Sequence, residues 1–103
     1  MCTMIAHQVK ILGCGKSGAD WFEVREANVS YDHPYELSLE HALNIDFVNE
    51  ALGPGARVAV ELSIEGARQL VKTIQAVLAQ ADQQGVLEDR PLAAVTSPAR
   101  AGA

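Results

Sequence analysis

Two histidines and an aspartate lie close together near the middle of the chain. His33 and His41 fall in the segment YDHPYELSLEHALNIDF, and Asp32 directly precedes the first of them. Imidazole binds zinc and other first-row metals, and it also titrates near neutral pH. The segment therefore predicts either a metal site or an acid–base pair. The spacing of the two histidines matches no established ligand motif. The alternative is therefore that they are ordinary histidines whose hydrogen bonds are made by backbone groups or by Asp32.

Cys2 is a third candidate ligand. Catalytic zinc sites use three protein ligands and keep one open position, so a thiolate beside two imidazoles is a suitable set. Removal of Met1 would also expose an amine that could serve as base for the Cys2 thiol. The alternative is a small apolar residue at a frayed terminus. By strict alternation Cys2 is in phase with Met4 and Gln8, so it has to twist to reach the histidines.

The glycine-rich segment GCGKSG, residues 13–18, matches the pattern G-x-G-x-x-G. In a dinucleotide site a helix follows that pattern, because its N-terminus holds the pyrophosphate. The sequence that follows, WFEVREANV, has the pattern of a strand. A phosphate loop of the GxxxxGKS type is also excluded, since position 10 is Lys10. We interpret residues 13–20 as a flexible hairpin loop.

Alternating apolar and polar residues predict four strands that position these groups. A change of apolar phase near Arg25 predicts a β-bulge in the second strand, and Pro34 ends that strand. His7 lies in the apolar phase of the first strand, which favours a core histidine. The predicted strands are Met4–Leu12, Trp21–Asp32, Ala42–Val48 and Arg57–Leu62.

A helix is predicted after the strands, opened by Ser63 as N-cap and stopped near Gly85. Its apolar residues recur at helical spacing along one stripe. Short connections between the strands favour an antiparallel meander. We therefore expect an α+β fold, a four-stranded antiparallel sheet with one C-terminal helix packed on one face. Residues 1–85 would form this single domain and residues 86–103, rich in Ala and Pro, a disordered tail.

In an antiparallel meander the end of one strand lies beside the start of the next. Several reactive residues of this chain are therefore expected at the same edge of the sheet. His33 and His41 share the inward phase, so their rings are predicted to lie near each other. We expect Cys2, His33 and His41 to bind a divalent metal, with zinc favoured. Asp32 and Glu61 reach the same edge and are expected to be catalytic carboxylates.

Composition restricts the function further. The chain has 103 residues, 49% of them apolar, with a net charge of −5, which argues against a nucleic-acid binder. No apolar run approaches the roughly 20 residues of a membrane helix. The first residues lack the pattern of a signal peptide, so we expect a cytoplasmic protein.

Cys2 and Cys14 would lie roughly 40 Å apart on one strand and are expected to be free thiols. Edge strands in so small a sheet favour a homodimer.

Several segments resemble a family of small bacterial proteins that contain a domain of unknown function. The similarity extends from Met1 to about Ala81 and is carried by an MCT start, GCGKSGADWF, YDHP, HALNIDF and RVAVEL. The resemblance implies no particular activity. It implies only that the following residues lie in signature segments: Cys2, Asp32, His33, Pro34, His41, Asn44 and Asp46.

Three functional hypotheses follow. The first is a small metal-binding protein, including a metal-dependent enzyme acting on a small molecule, with its site at Cys2, His33 and His41. The second is a non-catalytic dimeric ligand-binding or accessory module in which the histidines are structural. The third is metal-free acid–base or thiol catalysis.

Overall fold

The computed structural model describes residues 3–88 and divides the chain into two compact units, with the boundary after Ile64. The first unit is a four-stranded sheet and the second contains one helix. The strands are β1 (Ile5–Ser17), β2 (Asp20–Asp32), β3 (Ala42–Val48) and β4 (Arg57–Leu62). The helix, α1, runs over Ile64–Gln83, and a short 3₁₀ helix covers Glu50–Leu52.

All neighbouring strands pair antiparallel in the order β1-β2-β3-β4. The chain therefore has the predicted α+β fold, a meander sheet followed by one helix. Each connection is short enough to join adjacent antiparallel strands directly.

The cross-strand register separates an apolar face of the sheet from a polar one. Val29 pairs with His7 and Ile45, and directly paired residues share a face. Since side chains alternate along a strand, the neighbouring rows lie on the opposite face. The apolar rows are Ile5–Tyr31–Leu43–Leu62, His7–Val29–Ile45–Val60 and Val9–Ala27–Phe47–Val58. The polar face carries Gln8, Lys10, Glu26, Asn28, Ser30, Asn44, Asp46, Arg57 and Glu61.

The first hairpin is longer than predicted. β1 continues to Ser17, and only Gly18 and Ala19 form the turn, so the prediction of a loop over residues 13–20 was wrong. Gly15 explains the error. A Cβ at this position would lie 3.1 Å from Cγ2 of Val24, so here glycine permits close packing within a strand.

The predicted slip in register is present, but the extra residue belongs to the first strand. Lys10 pairs with Glu26 and Gly13 with Val24, so two residues of β1 face only Arg25. The change of apolar phase along β2 therefore reflects the register shift in its neighbouring strand, β1. His7 is exposed rather than buried, because β1 lies at the edge of the sheet.

α1 has the predicted stop. Val86 donates its backbone N–H to the carbonyl of Ala81, and Gly85 donates to that of Asp82, with Gly85 at φ 72°. This pair of bonds is a Schellman motif, which needs the left-handed conformation that glycine adopts at little cost. The tail prediction falls mostly on residues 89–103, outside the described part of the chain.

Candidate metal centre

The candidate site lies where β2 ends and β3 begins. Asp32 pairs with Ala42 in the last rung between these strands, and residues 33–41 connect them. His33 directly follows β2 and His41 directly precedes β3. Two adjacent antiparallel strands therefore bring both histidines to the same end of the sheet.

The imidazole of His41 lies between two other rings. Its centroid is 5.2 Å from that of His33 and 5.4 Å from that of Tyr31, with interplanar angles of 23° and 21°. Tyr31 belongs to the apolar face, so the stack extends that face beyond the strand ends. The prediction that the two imidazoles lie near each other is confirmed.

Asp32 joins the two histidines as a third donor group. One potential ligand atom from each of Asp32, His33 and His41 can be chosen so that all lie within 4.8 Å of one another. Asp32 also accepts the backbone N–H of His33 through Oδ1 at 2.8 Å. Two imidazoles and one carboxylate form a ligand set found in zinc and non-haem iron proteins.

The structure brings Asp32 close to both histidines. The sequence predicted Asp32 as a catalytic carboxylate, and that role stays a prediction; one of its carboxylate oxygens lies within 4.8 Å of a ring nitrogen of each histidine. The sequence signal for this proximity was that Asp32 directly precedes His33. Cys2 lies outside residues 3–88, so its role as a ligand stays a prediction.

Glu61 holds the connection that carries the histidines. Its Oε2 accepts the backbone N–H of Tyr35 at 2.5 Å, and its Oε1 accepts those of Glu36 and Leu37 at 2.9 and 3.1 Å. The bond from Tyr35, followed by those from Glu36 and Leu37, lowers the pKa of Glu61 from its ordinary value of 4.5, and desolvation opposes them. A catalytic role for Glu61 stays a prediction.

A polar cleft of about 370 Å³ adjoins the site, with Asp32, His33 and Glu61 in its wall. Asp46 in this cleft accepts two hydrogen bonds from Arg57, from Nε at 3.1 Å and Nη2 at 2.9 Å. The sequence had indicated Asp46 only as a residue of a signature segment and had given Arg57 no functional role. The cleft gives a small molecule a place beside the candidate ligands.

Asn44 links the sheet to the end of β2. Its Nδ2 donates to the carbonyl of Asp32 at 3.3 Å, while its Oδ1 is buried without a hydrogen-bond partner among residues 3–88. The amide orientation follows from the Asp32 carbonyl, which can only accept. Asn44 therefore fixes the backbone that carries the aspartate.

One comparison with known proteins identifies a family. Residues 1–87 match the model of a family of unknown function, DUF6295. The chain belongs to this family. The matched region includes the whole sheet, the candidate ligands and α1. No curated protein and no solved structure matches the chain.

The glycine-rich segment is followed by a strand and not by the helix that a dinucleotide site requires. The element that follows the turn is the strand β2, as the sequence predicted, and its glycines lie at the opposite end of the sheet from His33. Cys14 within it is an exposed free thiol. Among the described residues, no helix has the length and apolarity needed to cross a membrane.

Proposed function

We propose that this protein binds a divalent metal through Asp32, His33 and His41, with zinc as the preferred ion. The observation that carries the proposal is the presence of two imidazoles and a carboxylate whose ligand atoms can lie within 4.8 Å of one another. Three protein ligands leave a coordination position open to water or substrate. Segments that carry the resemblance, YDHP and HALNIDF, supply all three groups.

The open position supports a metal-dependent enzyme acting on a small molecule. A bound metal lowers the pKa of coordinated water and polarises a substrate oxygen. The polar cleft beside Asp32 and His33 has the size of a small-ligand site. The same ligand set also suits Fe²⁺, so the metals have to be compared directly. Cys2 is proposed as an alternative third ligand in place of Asp32, since a fourth protein ligand would fill the open position.

Metal analysis of protein purified without a histidine tag tests this proposal. We expect about one zinc per chain after dialysis against trace metal, and loss of that zinc in His33→Ala and His41→Ala. His7→Ala is the matched control, since His7 is an exposed histidine of β1 outside the ligand cluster. Wild-type protein without stoichiometric zinc or iron would contradict the proposal, as would equal metal retention in all variants.

A second candidate is a non-catalytic dimeric module in which the histidines are structural. The observation that favours it is the stack of Tyr31, His41 and His33, because stacked rings also stabilise a fold without any metal. β1 is an edge strand from Ile5 to Ser17, which offers backbone groups to a second copy.

Two measurements separate this candidate from the first. Substitution of His41 by Ala would lower the melting temperature of metal-free protein, and no ligand would be lost. Light scattering would give twice the mass of one chain. A monomer at all concentrations would contradict the dimer, and unchanged melting of the His41 variant would contradict the structural role.

A further inference from the structure

The three hydrogen bonds of Glu61 join parts of the chain that are far apart in sequence. Glu61 lies on β4, whereas the donors Tyr35, Glu36 and Leu37 are consecutive residues of the connection between β2 and β3. Both carboxylate oxygens are used. Hydrogen bonds to an ionised carboxylate are roughly twice as strong as neutral ones, so this contact fixes the connection firmly.

The connection has no regular secondary structure. Residues 33–41 form neither helix nor strand, and Glu61 binds the middle of this segment. Three consecutive N–H groups that converge on one carboxylate form an anion-binding concavity. Glu61 fills it from within the chain.

The position of this contact couples it to the ligands. In the chain, Tyr35–Leu37 lies between His33 and His41. Fixing the backbone of this segment therefore restricts the positions that the two imidazoles can take. Glu61 also pairs across the sheet with Asn44, which bonds to the carbonyl of Asp32. The paired residues Asn44 and Glu61 therefore bind both the backbone at Asp32 and the connection that follows it.

We propose that Glu61 is a positioning residue of the metal centre: its carboxylate binds the backbone of Tyr35–Leu37 and thereby holds His33 and His41 in the geometry that binds metal. This inference rests on the proposed metal function. It gives Glu61 a role distinct from acid–base catalysis, because both of its oxygens accept backbone N–H groups and neither is held ready for a substrate proton.

Zinc affinity of Glu61→Gln, measured by competition with a chromophoric chelator, is the first test. We expect zinc to bind about 10- to 100-fold more weakly, the usual cost of removing a group that orients a ligand. Glu23→Gln is the matched control. It makes the same chemical change at an exposed carboxylate whose ion pair is with Arg25, at the other end of β2, and should leave the affinity unchanged.

Rescue by a small carboxylate separates positioning from general destabilisation. In Glu61→Ala the concavity is vacated, so added acetate should restore part of the zinc affinity that this variant has lost, and it should leave the affinity of Glu23→Gln unchanged. Hydrogen exchange of the Tyr35–Leu37 amides provides a second readout on metal-free protein, with faster exchange expected in Glu61→Ala and slowing on addition of acetate.

The outcomes distinguish this inference from the metal function itself. Equal zinc affinity in wild type and Glu61→Gln, or equal weakening in Glu23→Gln, would overturn the positioning role while the metal site stands. Unchanged exchange of the three amides in Glu61→Ala would also overturn it, even if that variant binds zinc poorly. Absence of zinc binding in wild type would overturn both proposals.

Discussion

The two connections that flank β2 differ in what their sequences suggest and in what they form. The β1–β2 turn overlaps the end of a match to a nucleotide-binding pattern, yet in the structure Gly18 and Ala19 reverse the chain between two paired strands. The β2–β3 connection matches no ligand motif, yet it brings Asp32, His33 and His41 within reach of one ion. A pattern without its structural context carries little information, and topology can bring together side chains whose spacing in the sequence matches no motif.

Length explains this difference. A two-residue turn leaves the residues on either side paired in the strands, so Gly13–Ser17 and the start of β2 face each other. In the longer connection over residues 33–41, the backbone N–H groups of Tyr35, Glu36 and Leu37 bind the Glu61 carboxylate. One end of the sheet is thereby closed tightly, and the other carries a supported loop with polar groups.

The largest expected effect is a difference in zinc affinity between a variant at the β2–β3 connection and a variant near the β1–β2 turn. Asp32→Ala should weaken zinc binding by at least about 100-fold, since removing even an outer partner of a ligand costs 10- to 100-fold. Cys14→Ser changes a potential ligand near the β1–β2 turn and should leave the zinc affinity unchanged. Calorimetric titration of both variants checks this. Zinc affinity that depends on Cys14 and not on Asp32 would reverse the comparison.

The second effect concerns stability at the β1–β2 end of the sheet. Asn49, following β3, is 2% exposed; its Nδ2 donates to the carbonyl of Glu23 at 3.0 Å, and its Oδ1 accepts from Ala51 at 3.1 Å. Asn49→Ala removes both hydrogen bonds of this buried side chain and should lower the free energy of unfolding by about 2 kcal/mol. Asn28→Ala, which breaks an exposed bond to Gln8, should cost much less. Urea unfolding measures both, and equal losses would contradict this account.

A smaller effect tests the turn itself. Gly18 has φ 64°, and a Cβ there would meet no atom within 4 Å, so Gly18→Ala should cost about 1 kcal/mol of stability through backbone strain alone. Gly13→Ala is the control, because that residue has equal space and no positive φ. It should leave stability unchanged or slightly raised. Zinc affinity should be unchanged in both variants, and a loss in Gly18→Ala would link the two ends of the sheet.

The smallest effect is the pH dependence of the supported loop. Because the folded-state pKa of Glu61 is lowered, the ionised carboxylate stabilises the fold above its ordinary pKa of 4.5, and this contribution is lost as the pH falls through the lowered value. The difference in free energy of unfolding between wild type and Glu61→Gln should therefore shrink on acidification. Urea titrations at several acidic pH values measure it. A difference that grows toward low pH would contradict the sign.

The sheet was predictable because its signals are local and repeated. Leu43, Ile45 and Phe47 alternate with polar residues, and the structure places them on one face with the matching residues of β4. Gly15 was misread as part of a loop, since glycine is typical both of turns and of close packing inside strands. The side chains of Val24 and Phe22, which pack against Gly15, distinguish the two cases.

The site was predictable only in part. Alternation placed His33 and His41 on the same side, and their rings are stacked. The same alternation assigns Asp32 to the opposite face, but its Oδ1 bonds to the next backbone N–H, and a carboxylate oxygen remains within reach of the imidazoles. The bonds from Glu61 join residues 24 to 26 positions apart, and no local pattern reports contacts of that kind.

X-ray absorption of the zinc-loaded protein tests the central claim most directly. We predict two imidazole nitrogens at about 2.0–2.1 Å and a carboxylate oxygen at about 2.0–2.2 Å from zinc, and no such shell in His33→Ala or His41→Ala, which should lose the ion. A sulfur at about 2.3 Å in place of the carboxylate oxygen would identify Cys2 as the third ligand. A zinc shell without imidazole nitrogen would contradict the account.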